Sequence, residues 1–256
     1  MPAVARLNIS PVLSLGLEHR DSIDVGPRGV VEDRRFFIVD DADRLIDQLL
    51  VDSMVQVSAW TDPDATTLRL TFPDGRVVED DVALGAAFDS IIRKRPTQGN
   101  EVGGPFAAAI SDFVGRSVRL IRADRPGATR GDGAVSMVTD ASLDRLGHQL
   151  GVGDVDGRRF RMLIDLTGDV AHEEDGWIGH RVELGETILR VSGAIPRCAM
   201  TTHDPDSGER DYDTLHAIKE YRGFAGPDGK DLMFGVYGEV ERTGTIRVGD
   251  EVRLLD

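Results

Sequence analysis

The chain has 256 residues, of which 40% are hydrophobic and 29% charged, and its formal net charge is −15. This length and composition permit one large or two ordinary globular domains, and the excess of acid argues against nucleic acid or an anionic membrane surface as a partner. The one cysteine excludes an internal disulfide framework, CxxC zinc sites and cysteine-ligated iron–sulfur clusters within this chain.

The first third of the chain predicts strands and no helix. Short runs rich in β-branched and aromatic residues are typical of strands. Pro73-Asp-Gly75 predicts a hairpin turn, because glycine readily supplies the positive φ that such a turn needs. The predicted strands lie at residues 3–15 (running into a loop at Pro11), 30–40, 55–60, 67–72 and 77–78. We therefore expect a small barrel or sandwich in this part.

The rest of the chain adds a few short helices. Apolar spacing predicts a helix over 106–114 with Gly115 as its C-terminal cap, and one over 142–150 with Thr139 or Asp140 as its N-cap. Another short helix is expected at 215–222, and strands at 118–121, 160–166, 177–191 (a pair), 234–240 and 251–255. The predicted fold is mainly β with a few short helices (α+β). It is divided into two β-barrel-like domains, residues 1–110 and 111–256.

The only cysteine is a candidate for chemistry. Cys198 follows Arg197 and a β-like run, and it precedes two threonines, a histidine and an Asp-Pro-Asp-Ser-Gly turn. A thiolate beside a guanidinium suits a soft-metal ligand or a nucleophile, because positive charge favours the ionised sulfur. A lone cysteine is also commonly a small buried hydrophobe. The residues alone leave both interpretations open.

Arg161 is unusual because it lies near the start of an apolar predicted strand. A buried arginine needs an anionic partner. Asp165 would share its face, but four residues of strand rise separate the two by roughly 13 Å. An acid from a neighbouring strand or an anionic ligand would satisfy Arg161 instead.

Several segments occur in an order that resembles a known family. They are Phe160-Arg161, Glu174-Asp175-Gly-Trp177, Arg197-Cys198, Thr201-Thr-His-Asp-Pro-Asp-Ser-Gly208 and Gly244-Thr-Ile-Arg-Val-Gly-Asp250. Together they resemble the MOSC domain, named for the C-terminal part of molybdenum cofactor sulfurase, and within it the branch of the mitochondrial amidoxime-reducing component. The first part, with Ser10-Pro-Val-Leu-Ser14 and the 32–40 segment, is similar to that branch's N-terminal β-barrel domain.

The resemblance implies a pyranopterin molybdenum cofactor bound between the two domains. The Cys198 sulfur would be the metal ligand and the catalytic group. The implied cofactor-binding residues are Arg161, Arg35, Ser14, Thr139 and Arg197. These residue types suit that role, since thiolate is a soft donor and an arginine fork matches a phosphate.

The implied activity is that of a molybdenum-dependent oxidoreductase that reduces N-hydroxylated or other oxygenated small molecules. Because no further cysteine is present, we expect the electrons to come from a separate ferredoxin- or flavoprotein-like partner. No segment approaches the roughly 18 apolar residues of a membrane span. We therefore expect a cytoplasmic protein that binds neither membrane nor nucleic acid.

Two alternatives stay open, because the chain departs from the family pattern. Leu13 stands where the family has a lysine, Ile46-Asp-Gln-Leu49 where it has a threonine- or glutamine-arginine motif, and Met162-Leu163 where it has proline and asparagine. These departures are compatible with a degenerate member that binds another anion. Cys198 would also suit a non-catalytic carrier of the cofactor or of sulfur.

Overall fold

The structure is a computed structural model that describes residues 1–130 and 133–255. The strands of the first part are β1 (Val4–Ile9), β2 (Glu18–Arg20), β3 (Ser22–Gly26), β4 (Gly29–Val30), β5 (Phe36–Val39), β6 (Leu45–Ile46), β7 (Ser58–Thr61), β8 (Thr67–Thr71), β9 (Val77–Asp81), β10 (Leu84–Ile92) and β11 (Arg95–Val102). The later strands are β12 (Arg119–Ala123), β13 (Val135–Thr139), β14 (Ile164–Leu166), β15 (Arg181–Leu184), β16 (Thr187–Pro196), β17 (Met233–Arg242), β18 (Gly244–Arg247) and β19 (Val252–Leu254). The α-helices are α1 (Phe106–Val114), α2 (Asp140–Leu150) and α3 (Thr214–Arg222), and short 3-10 helices cover Asp52–Gln56, Gly157–Phe160, Glu173–Trp177 and Ala199–Thr202.

The largest sheet joins the N-terminal strand to the second half of the chain. Its order is β19-β15-β16-β17-β13-β14-β1-β2, in which β13 and β14 are parallel and the other neighbours antiparallel. In the β1–β14 pair, Val4 lies opposite Leu166. The small sheet β18-β3-β4 shares its core, in which Leu7, Met137 and Val236 are fully buried. The first strand is therefore an integral part of the C-terminal half.

The other half of the molecule contains two antiparallel sheets and α1. Their strand orders are β10-β11-β12-β5-β6 and β7-β8-β9. Phe36, Leu70 and Phe106 belong to one buried cluster that joins both sheets to α1. Turns and loops between the two halves carry the candidate site.

This architecture confirms a mainly β fold with short helices, but the predicted barrels are open. Within the described residues the order of the large sheet ends at β2 on one side and at β19 on the other. Both edge strands have only 3 residues and do not pair with each other. The domain boundary at residue 110 stays a prediction, with β12 paired to β5 of the first half and β1 paired to β14 of the second.

Two predicted strands are wrong at an arginine. The predicted strand over 30–40 is interrupted before β5, because Arg34 has a φ of 53°. The predicted strand over 160–166 begins only at Ile164, because Arg161 has a φ of 51° and ends the preceding 3-10 helix. A left-handed residue cannot continue a strand. Both arginines therefore lie in turns.

Local signals predicted the helices and one turn correctly. α1 ends at Gly115, whose φ of 69° is the left-handed conformation expected of a glycine cap. The Thr139 hydroxyl caps α2 by accepting from the Ser142 N–H, and α3 covers the predicted 215–222 helix. Gly75 has a φ of 85° in the β8–β9 turn. Among the residues described, no helix combines the length and the apolar character needed to cross a bilayer.

The β10–β11 hairpin has no turn signal in the sequence, and it was not predicted. Its ladder runs from Leu84 opposite Val102 to Ile92 opposite Arg95. The turn residues between the strands are Arg93 and Lys94, with φ values of 48° and 67°. Such turns normally contain glycine, asparagine or aspartate.

Asp165 in β14 is a buried carboxylate with an incomplete set of hydrogen bonds. The Asn8 Nδ2 donates to its Oδ2 at 3.1 Å, and its Oδ1 has no partner among the described residues. Burial raises the pKa of Asp165 to about 6, although the Asn8 hydrogen bond opposes this shift. Because this pKa is higher in the folded than in the unfolded chain, the fold loses stability as pH rises from about 4 through about 6.

We expect Asp165→Asn to stabilise the protein near neutral pH, because the amide is uncharged and still accepts from Asn8. The difference in unfolding free energy between the variant and the wild-type chain should be about 2 kcal/mol larger at about pH 7.5 than at about pH 4.5. Urea unfolding at both pH values measures this gain, with the exposed Asp64→Asn as a control. An equal gain at both pH values would contradict the assignment.

Candidate functional site

A cleft with about 720 Å³ of empty space lies between the two halves of the molecule. Its walls come from the loop after β1, the loop before β5, the β10–β11 turn, the residues after the 3-10 helix Gly157–Phe160, and the end of β16. The described charged residues in its lining are Asp33, Arg34, Arg93, Arg130, Arg161 and Arg197. Five guanidinium groups and one carboxylate among these residues give the cleft a positive potential that favours an anionic ligand.

Asp33 is the only carboxylate in the described lining, and it is already neutralised. It is 1% exposed, accepts from the Ser10 N–H at 3.0 Å, and pairs with Arg34 and with the Nε of Arg130. Burial by itself would raise the pKa of Asp33, but Arg34 and Arg130 outweigh it and keep the pKa below its usual value. The described ion pairs of Asp33 are therefore to Arg34 and Arg130, and not to the other arginines of the cleft.

Arg161 holds the loop after β1 in place, and among the described residues it forms no ion pair. Its Nη2 donates to the Ser10 Oγ at 2.7 Å and to the Leu15 carbonyl at 2.6 Å. Its own carbonyl accepts from the Arg34 Nη2 at 2.9 Å. Burial, followed by repulsion from Arg34, lowers the pKa of Arg161 to about 9. The anionic partner that the sequence requires is not Asp165, and no described carboxylate pairs with Arg161.

Arg197 is held by uncharged groups. Its Nε donates to the Phe234 carbonyl at 2.8 Å and its Nη1 to the Phe160 carbonyl at 3.1 Å. The guanidinium lies over the Phe160 ring, 5.2 Å from its centroid. Burial lowers the pKa of Arg197 to about 9, and the neighbouring Cys198 opposes this shift. Arg197 thus contributes positive charge to the cleft with no carboxylate beside it in the described residues.

Cys198 is exposed, which excludes the buried-hydrophobe interpretation. It directly precedes the 3-10 helix Ala199–Thr202, with an extended backbone (φ −124°, ψ 179°). Its neighbours Arg197 and Met200 line the cleft, whereas Cys198 itself is not part of the lining. The exposed thiol is accessible to a reagent from solvent, and it is close in the chain to the cleft.

Ser14 and Arg35 have different positions relative to the cleft. Ser14 lines it with a φ of 74°, and its buried Oγ has no hydrogen-bond partner in the described structure. Arg35 is buried outside the lining, where its Nη2 donates to the Asp124 carbonyl at 3.4 Å. Burial, with repulsion from Arg122, lowers the pKa of Arg35. Arg34 lines the cleft and Arg35 does not, because the positive φ of Arg34 turns the backbone at this point.

Thr139 lies away from the cleft, in the cap of α2. Its Oγ1 donates to the Glu174 Oε2 at 2.9 Å and accepts from the Ser142 N–H at 3.3 Å. The Ser142 hydroxyl also donates to Glu174, at 2.8 Å. Glu174 is fully buried, and burial raises the pKa of its carboxyl group. These contacts give Thr139 a structural role at this position.

A second chamber with about 860 Å³ of empty space adjoins the first, and Arg161 and Met200 line both. Gln48 lines it and is 4% exposed, and its Oε1 has no partner among the described residues. Two arginines of this chamber are neutralised, because Arg158 pairs with Asp156 and Asp206, and Arg159 with Asp211 and Asp204. Among the described arginines that line it, only the shared Arg161 lacks a carboxylate partner, so the excess of positive charge is greater in the first chamber.

Arg34, Arg93 and Arg130 line the cleft, although the sequence analysis gave them no role. The Asp33-Arg34-Arg35 run is a usable signal, but a continuous strand would have placed its arginines on opposite faces. Arg93 lies in the unmarked β10–β11 turn, and Arg130 in a polar loop. Neither belongs to a recognisable motif.

Comparison with known proteins gives one family and several relatives. The MOSC domain model matches residues 103–253. The chain is 28% identical to mitochondrial amidoxime-reducing component 1 of Mus musculus over 282 residues, which cover 98% of this chain and 82% of that protein. It is 37% identical to mitochondrial amidoxime reducing component 2 of Homo sapiens over 122 residues, covering 45% of this chain and 35% of that protein. Molybdenum cofactor sulfurase of Caenorhabditis briggsae is 24% identical over 247 residues, covering 93% of this chain and 33% of that protein.

We expect Thr139→Val to lower the free energy of unfolding by about 1–3 kcal/mol, because it removes both the helix cap and a donor to Glu174. Thr139→Ser keeps the hydroxyl and should cost about 1 kcal/mol or less. Urea unfolding measures both losses, and calorimetric titration with inorganic phosphate tests the cleft. A Thr139→Val protein with wild-type stability but impaired phosphate binding would contradict the structural role.

Proposed function

Because the chain belongs to the MOSC domain family, we propose that it is a molybdenum-cofactor-dependent oxidoreductase that reduces N-hydroxylated or other oxygenated small molecules. One observation carries the proposal: a cleft with excess positive charge is lined by Arg197 and Met200, which stand on either side of an exposed cysteine in the chain. The matched family and the relatives that are named for amidoxime reduction and for the molybdenum cofactor support it.

The residues of the cleft fit an anionic, phosphate-bearing cofactor. Arg161 and Arg197 have no carboxylate partner among the described residues, and the buried Ser14 Oγ has no hydrogen-bond partner. A buried hydroxyl left without a partner costs about 1–3 kcal/mol, and buried charges are normally compensated. A phosphate group would satisfy both requirements, because it is a dianionic acceptor that matches a guanidinium fork.

Each residue then has a defined task. Arg161 and Arg34 would bind the phosphate, and Ser14 would donate its hydroxyl proton to an acceptor on the cofactor. Cys198 would supply the thiolate ligand, which suits a metal that already has sulfur donors. When bound, the cofactor supplies the molybdenum centre at which the substrate loses oxygen.

Arg197 would position this ligand. The carbonyls of Phe160 and Phe234 fix its guanidinium at 3.1 Å and 2.8 Å, and Cys198 is the next residue in the chain. The backbone beside the thiol is therefore restrained by two partly buried hydrogen bonds. Because Cys198 itself is exposed, its sulfur would be open to a small substrate.

The protein would also need a source of electrons. Electrons would come from a separate ferredoxin- or flavoprotein-like donor, since one cysteine cannot hold a cluster. We further propose a cytoplasmic protein with no nucleic acid or membrane partner, consistent with its charge of −15.

The exposure of Cys198 favours one second candidate. An accessible thiol can carry a persulfide, so the protein would also suit a non-catalytic carrier of sulfur or cofactor. A carrier loaded with cofactor would fail to reduce benzamidoxime with a chemical reductant, whereas the proposed enzyme would reduce it.

We expect protein expressed with molybdate to contain molybdenum and pterin. Cys198→Ser should lower the molybdenum content by at least about tenfold, because loss of even an outer-sphere partner of a metal site has effects of about 10-fold. Elemental analysis and pterin fluorescence measure the two contents, with Ser192→Ala at an exposed position of the preceding strand β16 as a control. If the wild-type protein and both variants lack molybdenum, the proposed function is wrong.

A further inference from the structure

The β10–β11 turn brings a cation to the cleft. Its two turn residues, Arg93 and Lys94, have φ values of 48° and 67°, and neither is glycine. Arg93 lines the cleft, whereas Lys94 does not. A left-handed conformation is unfavourable for both residues, so packing around the turn must enforce it.

That packing lies directly beneath the turn. Ile92 is 2% exposed and belongs to the same buried cluster as Leu13, Phe37 and Phe88. Leu13 also lines the cleft. The hairpin end is therefore anchored in the buried cluster that contains Leu13, and the next residue, Arg93, lines the cleft. Leu13 contributes apolar packing beneath the turn and no charge.

The arginines at this end of the cleft repel one another. Arg34 and Arg93 both lower the pKa of Arg161, after the larger effect of its burial, and Asp33 opposes them. The ion pair of Arg93 with Asp47 is a long one, 3.5 Å from its Nη2 to the Asp47 Oδ2, and the Arg93 side chain is 38% exposed. Asp33 is occupied by Arg34 and Arg130. A multivalent anion among Arg34, Arg93 and Arg161 would relieve this repulsion.

We propose that Arg93 is an anion-binding residue of the cleft, which the β10–β11 turn holds against the phosphate group of the bound ligand. This inference rests on the proposed function, in which that phosphate belongs to the cofactor. Arg93 provides the binding charge on the side of the cleft formed by Leu13. The ligand class is a phosphate monoester, because a dianion with several acceptor oxygens can contact more than one guanidinium.

The structure offers a matched pair of variants to test this role. Arg93→Gln and Lys94→Gln each remove one positive charge from the same exposed turn, but only the first changes the lining of the cleft. Calorimetric titration of cofactor-free protein with inorganic phosphate, at constant ionic strength, should show about tenfold weaker binding for Arg93→Gln. Lys94→Gln should change the affinity by less than about twofold, since an exposed charge outside the site is screened.

Two further measurements separate charge from structure. Arg93→Lys keeps the charge and should recover part of the lost affinity, while thermal melting compares the stability of all variants. Pterin content after expression should fall for Arg93→Gln and stay at the wild-type value for Lys94→Gln.

The outcomes distinguish this inference from the proposed function. If wild-type protein carries pterin and molybdenum but Arg93→Gln matches Lys94→Gln in phosphate affinity and pterin content, the role of Arg93 is overturned and the proposed function stands. Equal losses in both variants would also overturn it, because they would reflect net charge. If the wild-type protein binds no phosphate and carries no pterin, both proposals fail.

Discussion

The cleft depends on one buried carboxylate. Asp33 binds the Ser10 amide of the loop after β1, pairs with Arg34 in the turn before β5, and pairs with Arg130 of a distant loop. Arg130 in turn donates to the carbonyls of Arg28 and Val30. Three chain segments are thus fastened through a charge that is 1% exposed. A buried charge that lost one of these partners would strongly destabilise this region.

This arrangement explains why the cleft stays positive in a protein with a net charge of −15. Asp33 is paired with Arg34 and Arg130, and it forms no ion pair with Arg161 or Arg197 among the described contacts. It offsets the charge of Arg161 only in part, since the pKa of Arg161 stays lowered. Arg161 and Arg197 are held by carbonyl and hydroxyl oxygens, which orient a guanidinium without cancelling its charge. The fold thereby provides rigid cations at one site, as anion binding requires. The acidic residues elsewhere do not remove this local potential.

Whether an arginine side chain reaches the cleft depends on its position in a turn, and not on its residue type alone. Arg34 and Arg161 both have left-handed backbones, and a hydrogen bond of 2.9 Å joins them. Had either continued a strand, its side chain would point elsewhere. Arg35, one residue further on, is buried outside the cleft with a single long contact to a carbonyl. A resemblance that identifies an arginine pair cannot decide which member faces a ligand, because that choice depends on the sign of one backbone angle.

The sequence by itself determined those features that short-range chemistry controls. Five segments in order, one of them containing Cys198, indicated the family. Gly115 and the Thr139 hydroxyl marked helix ends, and Pro73-Asp-Gly75 marked a turn. Contacts within a few residues suffice for such helix ends and turns. Only the tertiary structure placed Arg34, Arg93 and Arg130 in the cleft and Thr139 outside it. These positions depend on contacts between distant segments, such as the ion pair of Asp33 with Arg130 and the buried cluster that includes both Leu13 and Ile92. Local patterns carry no information about such contacts.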